Sequence, residues 1–374
     1  MKRGMVLALG IGLLLLAGAV FTRPAGQVPL FFYSSFEGLG GTTQGYYQHK
    51  AFDVSDDGAT VVGNNGDCCG YVWKPGTGLV LLPGFPPPYS GTGGGAVSAD
   101  GSVVGGCAST PLGAEACRWT PSGTTWMPVV MGDLEGGEHF SAVWDMSFDG
   151  NVSVGFGHSD LGRVACRWTL VGGNWAPEAL GDLPGGDYYS EAHGCSANGD
   201  VVVGRSEVGA GGYGWRAFRW TSGSGMKDLG VIGKRKWSEA WDCSADGSVV
   251  VGLTDDDAQR NQIAFRWTAG TGMISLGILP GGKISQALGV SADGTVVVGA
   301  ASTRRDGVKA IVWDAVNGMR RVDEVLAAHG VSTAGWKLFQ ANSVAVPEAG
   351  VVVIVGEGTN PAGSWESWRA VIKN

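Results

Sequence analysis

A pair of residues, Asp-Gly or Asn-Gly, recurs along the chain and constrains its fold more than any other feature. Each pair precedes a β-branched run that ends in Gly, as in Val201 to Gly204. Asp-Gly accepts the positive φ angles of tight hairpins, so each copy predicts two antiparallel strands joined by a turn. The seven copies, the last of them degenerate, are Asp57-Gly58, Asp100-Gly101, Asp149-Gly150, Asn198-Gly199, Asp246-Gly247, Asp293-Gly294 and Ala349-Gly350.

Successive turn glycines lie 43, 49, 49, 48, 47 and 56 residues apart. Each period leaves room for a third strand that carries a Trp and a fourth strand after a Gly-rich turn. Four antiparallel strands per period are typical of a propeller blade, so we predict an all-β, seven-bladed β-propeller over residues 30–374. The repeated tryptophans, expected in the core, are Trp73, Trp119, Trp168, Trp220, Trp267 and Trp313, with Ala370 at this place in the seventh copy.

The two ends of the repeat array complement each other. The last copy stops at its third strand with Asn374, whereas Leu30 to Phe36 matches a lone fourth strand. We therefore expect the N-terminal strand to pair beside Trp368 and complete the last blade, which removes open sheet edges. The rival architecture is an open β-solenoid, whose coils are usually shorter. Residues 322–328 have helical spacing of apolar side chains and predict one short helix.

Residues 1–19 have the pattern of an export signal. Lys2 and Arg3 precede an apolar run from Met5 to Leu16, which is too short for a bilayer of about 30 Å. We expect cleavage after Ala19, a linker at 20–29, and a secreted, extracellular, monomeric chain with no membrane span. Removing Lys2 and Arg3 leaves 24 basic and 34 acidic residues, a net charge of −10. This charge disfavours nucleic acid as a partner, because nucleic acid is bound mainly by clustered Lys and Arg.

Several motifs resemble a known family. They include Ser-Ala-Asp-Gly followed by Val-Val-Gly, the strands Ala217 to Thr221 and Ala264 to Thr268, the linker Gly181 to Gly186 and the closing stretch 335–363. On these motifs the chain is similar to the HAF-repeat family of extracellular bacterial proteins. The resemblance implies secretion and a surface or matrix role, and it implies no established activity. The His of the family's His-Ala-Phe is replaced by Glu115, Val164, Arg216, Ile263 and Lys309.

One face of the predicted propeller carries aromatic and charged loop residues. This face is formed by the loops between strands two and three and by the blade-to-blade connections. Aromatic side chains beside charges suit the stacking and hydrogen bonding of a glycan or protein ligand. The alternative is that these side chains only cap the blades. The candidate ligand-binding residues are Tyr188, Tyr189, Tyr213, Trp215, Arg235, Trp237 and Trp365.

The first strand of each blade should line the central channel. It places Asp53, Asp145 and Asp242 at equivalent positions, with His193 beside that position in another blade. The three carboxylates could form a polar ring for a cation or a ligand. The interpretation that we favour is structural, with each Asp binding the backbone or an Arg of a neighbouring blade. The candidate partners on strand three are Arg118, Arg167, Arg219, Arg266 and Arg369.

The seven cysteines of this exported chain permit disulfides. Cys107 ends strand two and Cys117 begins strand three of one blade, so we predict a disulfide between them. The pairing of Cys195 with Cys243, and the fate of Cys68 and Cys69, stay open.

We predict no metal and no cofactor. The acidic run Asp255 to Asp257 lacks the alternating oxygen ligands and the turn Gly of a calcium loop. His193 and Cys195 form a single His-x-Cys pair, without the second pair that a zinc site needs.

The chain contains no Gly-rich phosphate loop, nucleophile elbow or metalloprotease motif. We therefore predict a secreted, non-enzymatic binding or surface-structural propeller, with a glycan or a protein as its ligand. The alternative is a secreted polysaccharide hydrolase or lyase that uses the channel-facing Asp and Arg residues.

Overall fold

The computed structural model describes residues 33–40, 49–66, 69–87, 89, 91–209, 214–233, 237–256 and 261–374. The predicted signal and linker at 1–29 lie outside the described residues, as do Cys68, Tyr213, Arg235 and Asp257. The described residues form seven four-stranded antiparallel sheets and one short helix. The prediction of a seven-bladed propeller is therefore confirmed.

The strands follow one another from the inner to the outer edge of each blade. Blades 1 and 2 contain β2 (His49–Val54), β3 (Val61–Asn65), β4 (Cys69–Lys74), β5 (Gly78–Leu81), β6 (Thr92–Val97), β7 (Val104–Ser109), β8 (Ala114–Ser122) and β9 (Thr125–Val130). Blades 3 and 4 contain β10 (Ala142–Met146), β11 (Val152–Ser159), β12 (Gly162–Val171), β13 (Asn174–Ala179), β14 (Ser190–Cys195), β15 (Val201–Glu207), β16 (Trp215–Thr221) and β17 (Gly225–Asp228).

The remaining blades repeat this order, with α1 inserted between blades 6 and 7. Blades 5 and 6 contain β18 (Ser238–Cys243), β19 (Val249–Asp256), β20 (Asn261–Thr268), β21 (Gly272–Gly277), β22 (Ser285–Val290), β23 (Val296–Ser302), β24 (Val308–Asp314) and β25 (Gly318–Arg321). The helix α1 (Val322–Ala328) follows, and blade 7 contains β26 (Lys337–Glu348), β27 (Val351–Thr359), β28 (Trp365–Lys373) and β1 (Ser35–Gly38).

The turn between the first two strands of a blade is held by its own side chains. In blade 5, Ser244 Oγ donates to Asp246 Oδ1 at 2.7 Å and accepts the Val249 N–H at 3.0 Å. Gly247 completes the turn with a φ of +64°, a conformation that other residues rarely adopt. The Ser244 hydrogen bond and the Ser248 N–H lower the pKa of Asp246. The repeated Ser-x-Asp-Gly motif therefore stabilises the hairpin turn that the sequence predicted.

The innermost strand of every blade carries a β-bulge at the same place. In β18, Ala240 pairs with Gly252 and Asp242 with Val251, which leaves Trp241 as the extra residue. A bulge changes the direction of its side chain and often lies next to a functional site. We call the seven bulge residues the bulge ring, and its members are Phe52, Gly95, Trp144, His193, Trp241, Leu288 and Asn342.

The glycine opposite each bulge is required by a close backbone approach. A Cβ atom on Gly204 would lie 2.0 Å from the carbonyl oxygen of Glu191, far inside any van der Waals contact. The equivalent distance for Gly252, from the Glu239 carbonyl, is also 2.0 Å. In six blades this Gly ends the β-branched run of strand two, and in blade 2 it is Gly106, the residue after that run. A larger residue at this position must displace the inner strand.

The propeller is closed by its N-terminal strand. β1 pairs with β28 from Ser35 opposite Val371 to Gly38 opposite Trp368. An ion pair of 2.9 Å between Glu37 and Arg369 supports this pairing. The predicted strand began at residue 30, whereas the observed one begins at Ser35 and extends to Gly38. Residues 30–32 lie outside the part of the chain that the structure describes.

The predicted helix is confirmed as α1, which packs Val322, Val325 and Leu326 against blades 6 and 7. Within the described ranges, no helix is both long and apolar enough to cross a membrane.

The repeated tryptophans pack between blades, but not all to the same depth. Trp119 and Trp168 are fully buried, and their indole N–H groups donate to the Pro83 and Gly132 carbonyls at 2.8 and 2.9 Å. These carbonyls belong to the connection that precedes each blade. Trp73 and Trp220 are also buried, whereas Trp267 and Trp313 are half-buried. The prediction of six core tryptophans is therefore correct for four of them.

Candidate ligand site at the channel mouth

All seven members of the bulge ring line one cavity in the central channel. Its volume is about 590 Å³, which is in the range typical of small-molecule sites. The cavity also contacts Lys50, Asn64, Gln286 and Gln340, and on blade 2 it contacts the side-chain-free segment Gly93 to Gly95. We call this cavity the channel mouth.

Three near-parallel rings form one wall of the channel mouth. The ring centroids of Trp144 and Trp241 lie 4.9 and 4.5 Å from that of His193, with interplanar angles of 15° and 19°. Rings in contact are separated by about 3.5 Å, so indoles on opposite faces of His193 would be about 7 Å or more apart. The two indole centroids are only 6.2 Å apart. Both indoles therefore lie side by side on one face of His193, and we call this surface the indole platform.

A buried charge network supports the platform from behind. His193 has only 1% of its side chain exposed, and its Nδ1–H donates to the Ala240 carbonyl at 2.9 Å. Its Nε2 lies 3.4 Å from Oε2 of Glu191. Glu191 also receives the guanidinium groups of Arg163 and Arg205, each at 2.6 Å, and Arg205 contacts Glu239 at 2.9 Å. The network fixes the imidazole and thereby the two indoles.

The same network keeps Glu191 ionised. Burial alone would raise the pKa of this carboxyl group. The hydrogen bond from His193 and the charges of His193, Arg205 and Arg163 outweigh burial and lower the pKa to about 2. A carboxylate held in this way does not exchange protons near neutral pH, which counts against a role as a general acid.

Amide side chains form the wall contributed by blades 6, 7 and 1. Gln340 Nε2 donates to Asn342 Oδ1 at 2.6 Å, and Asn342 Nδ2 donates to the Ala51 carbonyl at 2.7 Å. Asn64 Oδ1 accepts the Gly94 N–H at 3.0 Å. An amide has two donor hydrogens and two acceptor lone pairs, so each group retains hydrogen-bonding capacity for a ligand. The channel mouth thus combines an aromatic wall with an amide wall.

The three channel aspartates hold neighbouring blades together. Each lies one residue past the bulge and accepts a backbone N–H from the next blade. Asp53 Oδ2 binds Val97 at 2.9 Å, Asp145 Oδ2 binds Cys195 at 2.7 Å, and Asp242 Oδ2 binds Val290 at 2.8 Å. At the same place the even-numbered blades have small residues, namely Ala96, Gly194 and Gly289.

The strand-three arginines do not pair with these aspartates, so that part of the expectation was wrong. Arg167 and Arg219 donate through Nε to the turn carbonyls of Gly199 and Gly247 in the next blade, at 3.1 and 3.0 Å. The physical reason is distance. Strand two lies between strands one and three, so their backbones are nearly 10 Å apart. The guanidinium groups therefore bind the next hairpin turn.

Burial raises the pKa values of the channel aspartates. Desolvation, with the charge of Asp53 nearby, raises the pKa of Asp242 to about 7 despite its hydrogen bonds with Val290 and Cys243. Desolvation and the charges of Asp242 and Asp53 raise the pKa of Asp145 as well. The described residues include no group of three or more His, Cys, Asp or Glu side chains arranged to hold a metal ion.

A pH-dependent contribution to stability follows for Asp242. Its folded pKa is about 7, against about 3.9 in an unfolded chain. Between these values the folded protein keeps a proton that the unfolded chain releases, so the contribution is complete at low pH and is lost as pH rises through 7. We expect the wild type to lose unfolding free energy relative to Asp242→Asn between about pH 4 and 8, measured by urea unfolding.

A turn aspartate supplies the contrast for this measurement. The pKa of Asp246 is lowered, so its contribution is present above its unfolded pKa and is lost as pH falls through the lower folded value. Asp246→Asn should therefore differ from the wild type mainly at neutral pH. Parallel profiles for the wild type and Asp242→Asn would show that Asp242 titrates normally.

The predicted loop aromatics that the structure describes do not form the wall of the channel mouth. The Tyr189 and Trp215 rings pack edge to face at 4.9 Å, and the guanidinium of Arg205 lies 4.4 Å above the Trp215 ring. These two side chains therefore cover the charge network. Of the predicted binding residues that the structure describes, none lines the channel mouth.

The other predicted residues are dispersed. Tyr188 is exposed and has a φ of +55°, and its N–H donates to Asp182 at 3.0 Å. Trp237 is half-buried, and Trp365 packs against Phe339 with ring centroids 5.1 Å apart. Tyr213 and Arg235 lie outside the described residues. The structure thus brings together only Tyr189 and Trp215 of this group.

The predicted Cys107–Cys117 disulfide does not form in the structure. The strand register places Cys107 opposite Ala116 and Cys117 opposite Gly106. Consecutive pairs project to opposite faces of a sheet, so the two thiols point apart. Both are free, as are Cys195 and Cys243. Cys117 packs beside Trp119 in the core, whereas Cys107 lines the channel mouth, where burial raises its pKa.

The sequence analysis did not select Trp144 or Trp241 as binding residues. It also missed Glu191 and Arg205. The sequence did contain a signal for the bulge ring. In the first strand of all seven copies, Ala, Gly or Val is followed by a variable residue and then by Asp or a small residue. That variable residue is the bulge, and it always lies opposite the Gly of strand two.

No family model and no curated protein matches the chain. Among solved structures, Kuenenia stuttgartiensis hydrazine synthase is similar over 90% of this chain and 98% of that chain, with 12% identity and a TM-score of 0.50. TolB from Acinetobacter baumannii is similar over 81% of this chain and 75% of that chain, with 10% identity and a TM-score of 0.43. At these identities the likeness concerns the fold alone, and the chain is a seven-bladed β-propeller.

Proposed function

We propose that this chain is an exported, non-enzymatic binding propeller of the HAF-repeat type, with a role at a surface or in a matrix. Its ligand is a glycan or a protein segment that enters the channel mouth. The observation that supports this most is the cavity of about 590 Å³, with the indole platform on one wall and amides on the other. A shaped apolar pocket with a few polar groups is the usual form of a binding site.

The engagement of the carboxylates favours binding over hydrolysis. Glu191 and Glu239 are paired with Arg205, and the channel aspartates accept backbone N–H groups from the next blade. A hydrolase or lyase needs a carboxyl group or a base that can reach the substrate and exchange a proton with it. The alternative of a polysaccharide hydrolase or lyase would require these groups to leave their present partners.

The test is a binding screen combined with an activity screen on residues 20–374. We expect saturable binding to a glycan array or to an extracellular protein, without release of reducing ends or unsaturated products. Ala142→Trp, which adds bulk to the channel mouth, should weaken binding at least about tenfold. Leu161→Trp is the matched control, because Leu161 is 62% exposed in a loop and does not line the cavity. Product release by the wild type, or equal binding by both variants, would contradict the proposal.

A further inference from the structure

The indole platform has the shape of a sugar-stacking surface. Trp144 and Trp241 are half-buried and both line the channel mouth, while His193 covers one face of each indole. The opposite faces are therefore the ones available to a ligand. Two indoles side by side, with their planes inclined by 24°, offer an apolar area longer than one six-membered ring, which matches two adjoining pyranose rings.

The bulge ring leaves room above this platform on one side only. Six of its members carry side chains, and the seventh is Gly95. A Cβ on Gly95 would lie 2.5 Å from the Val143 carbonyl, so this opening is also built into the backbone packing. With Gly93 and Gly94 next to it, the inner strand of blade 2 presents bare backbone to the cavity, and Cys107 of the second strand lies beside it. A ring on the platform can therefore extend towards blade 2 without meeting a side chain of the segment Gly93 to Gly95.

The charges around the channel mouth cancel one another. Glu191 and Glu239 are matched by Arg163 and Arg205, and Lys50 lies 3.7 Å from the buried Glu357. The hydrogen-bonding groups that remain are amides, which suit the hydroxyl rim of a sugar. A pyranose has an apolar C–H face and a neutral polar edge, so it matches both walls at once. An anionic sugar would find no unpaired cation among these six residues.

We propose that the channel mouth binds the end of a neutral glycan, with two sugar rings stacked on Trp144 and Trp241. This inference rests on the proposed binding function and names its ligand class. The platform lies inside a ring of seven inner strands, so an internal stretch of a polysaccharide cannot lie across it. Recognition is therefore directed to chain ends.

The experiment is saturation-transfer NMR and calorimetry with neutral disaccharides, namely cellobiose, maltose, lactose and chitobiose. The matched uronic-acid disaccharides and N-acetyltyrosinamide serve as the charged and aromatic comparison probes. We expect at least one neutral disaccharide to bind, with the C–H face of both rings receiving saturation. Trp144→Ala and Trp241→Ala should each weaken it about tenfold or more.

The controls separate stacking from folding. Trp144→Phe and Trp241→Phe should restore part of the affinity, because a phenyl ring keeps the flat surface. Trp175→Ala removes another half-buried indole, on the outer strand β13, and should leave binding unchanged. Gly93→Leu, whose Cβ would meet only the Cys107 and Asn64 side chains at 3.2 to 3.7 Å, should block the opening on blade 2.

The outcomes distinguish this inference from the proposed function. Binding of N-acetyltyrosinamide but of no neutral disaccharide would overturn the sugar assignment and leave a protein-binding propeller. Disaccharide binding that survives both Trp→Ala changes would overturn the platform. Preference for the uronic-acid disaccharides would overturn the neutral assignment. A wild type that binds neither glycans nor proteins would overturn the proposed function as well.

Discussion

Replacing Trp168 with Ala should lower the free energy of unfolding by about 3 to 5 kcal/mol. Trp168 has 0% of its surface exposed and packs among Val103, Met131 and Cys166. The substitution leaves a cavity and also deprives the Gly132 carbonyl of its indole N–H donor at 2.9 Å. Urea unfolding followed by far-UV circular dichroism measures the loss.

The matched control is Trp267→Ala, at the equivalent place in blade 5. Trp267 is half-buried, so solvent already contacts part of its indole and the cavity is smaller. We expect a loss of less than half that of Trp168→Ala. Equal losses would show that the repeat position, rather than the burial of the individual side chain, sets the energetic contribution.

Replacing Gly204 with Ala should cost at least about 3 kcal/mol and weaken ligand binding. The new Cβ would lie 2.0 Å from the Glu191 carbonyl and 3.0 Å from the Ala192 Cα, and both contacts are backbone. The inner strand must therefore shift. Because Glu191 anchors Arg163 and Arg205, the shift should also disturb the support of the indole platform. Urea unfolding and disaccharide calorimetry on the same sample measure both effects.

Gly223→Ala is the control for this change, within the same blade. A Cβ on Gly223 would meet nothing within 4 Å, and its φ is not in the left-handed region. We expect a change within about 0.5 kcal/mol. If Gly204→Ala were tolerated equally well, the inner strand would be able to relax around the new Cβ. The recurrence of Gly opposite the bulge in every blade would then have another cause.

The architecture could be predicted because its signals are local and repeated. Each Ser-x-Asp-Gly turn, such as Ser244 to Gly247, makes its own hydrogen bonds, so the hairpin depends little on distant contacts. The motif occurs five times as Ser-x-Asp-Gly and once as Ser-x-Asn-Gly, so the boundaries of the blades can be aligned from the sequence. The closing strand could be predicted by counting strands, since the last repeat lacks a fourth strand and the N-terminal segment matches one.

The candidate site could not be predicted in the same way, because it depends on a shift of one residue. A bulge reverses the faces on which the following side chains lie, and no local motif marks it when the bulge residue varies from Phe52 to Asn342. The expected disulfide failed for a related reason. Cys107 and Cys117 are separated by the right length of chain, but their register differs by one position.

The pairing of Ser35 with Val371 has a consequence for the order in which the chain matures. Synthesis delivers β1 long before β28, the strand with which it pairs. Contacts between such distant residues slow folding more than they reduce stability. Blades 1 to 6 can therefore assemble while the polypeptide is still being made. The ring itself can close only once β28 has been made, so until then a protease or a second nascent chain can compete for the open edge of the last blade.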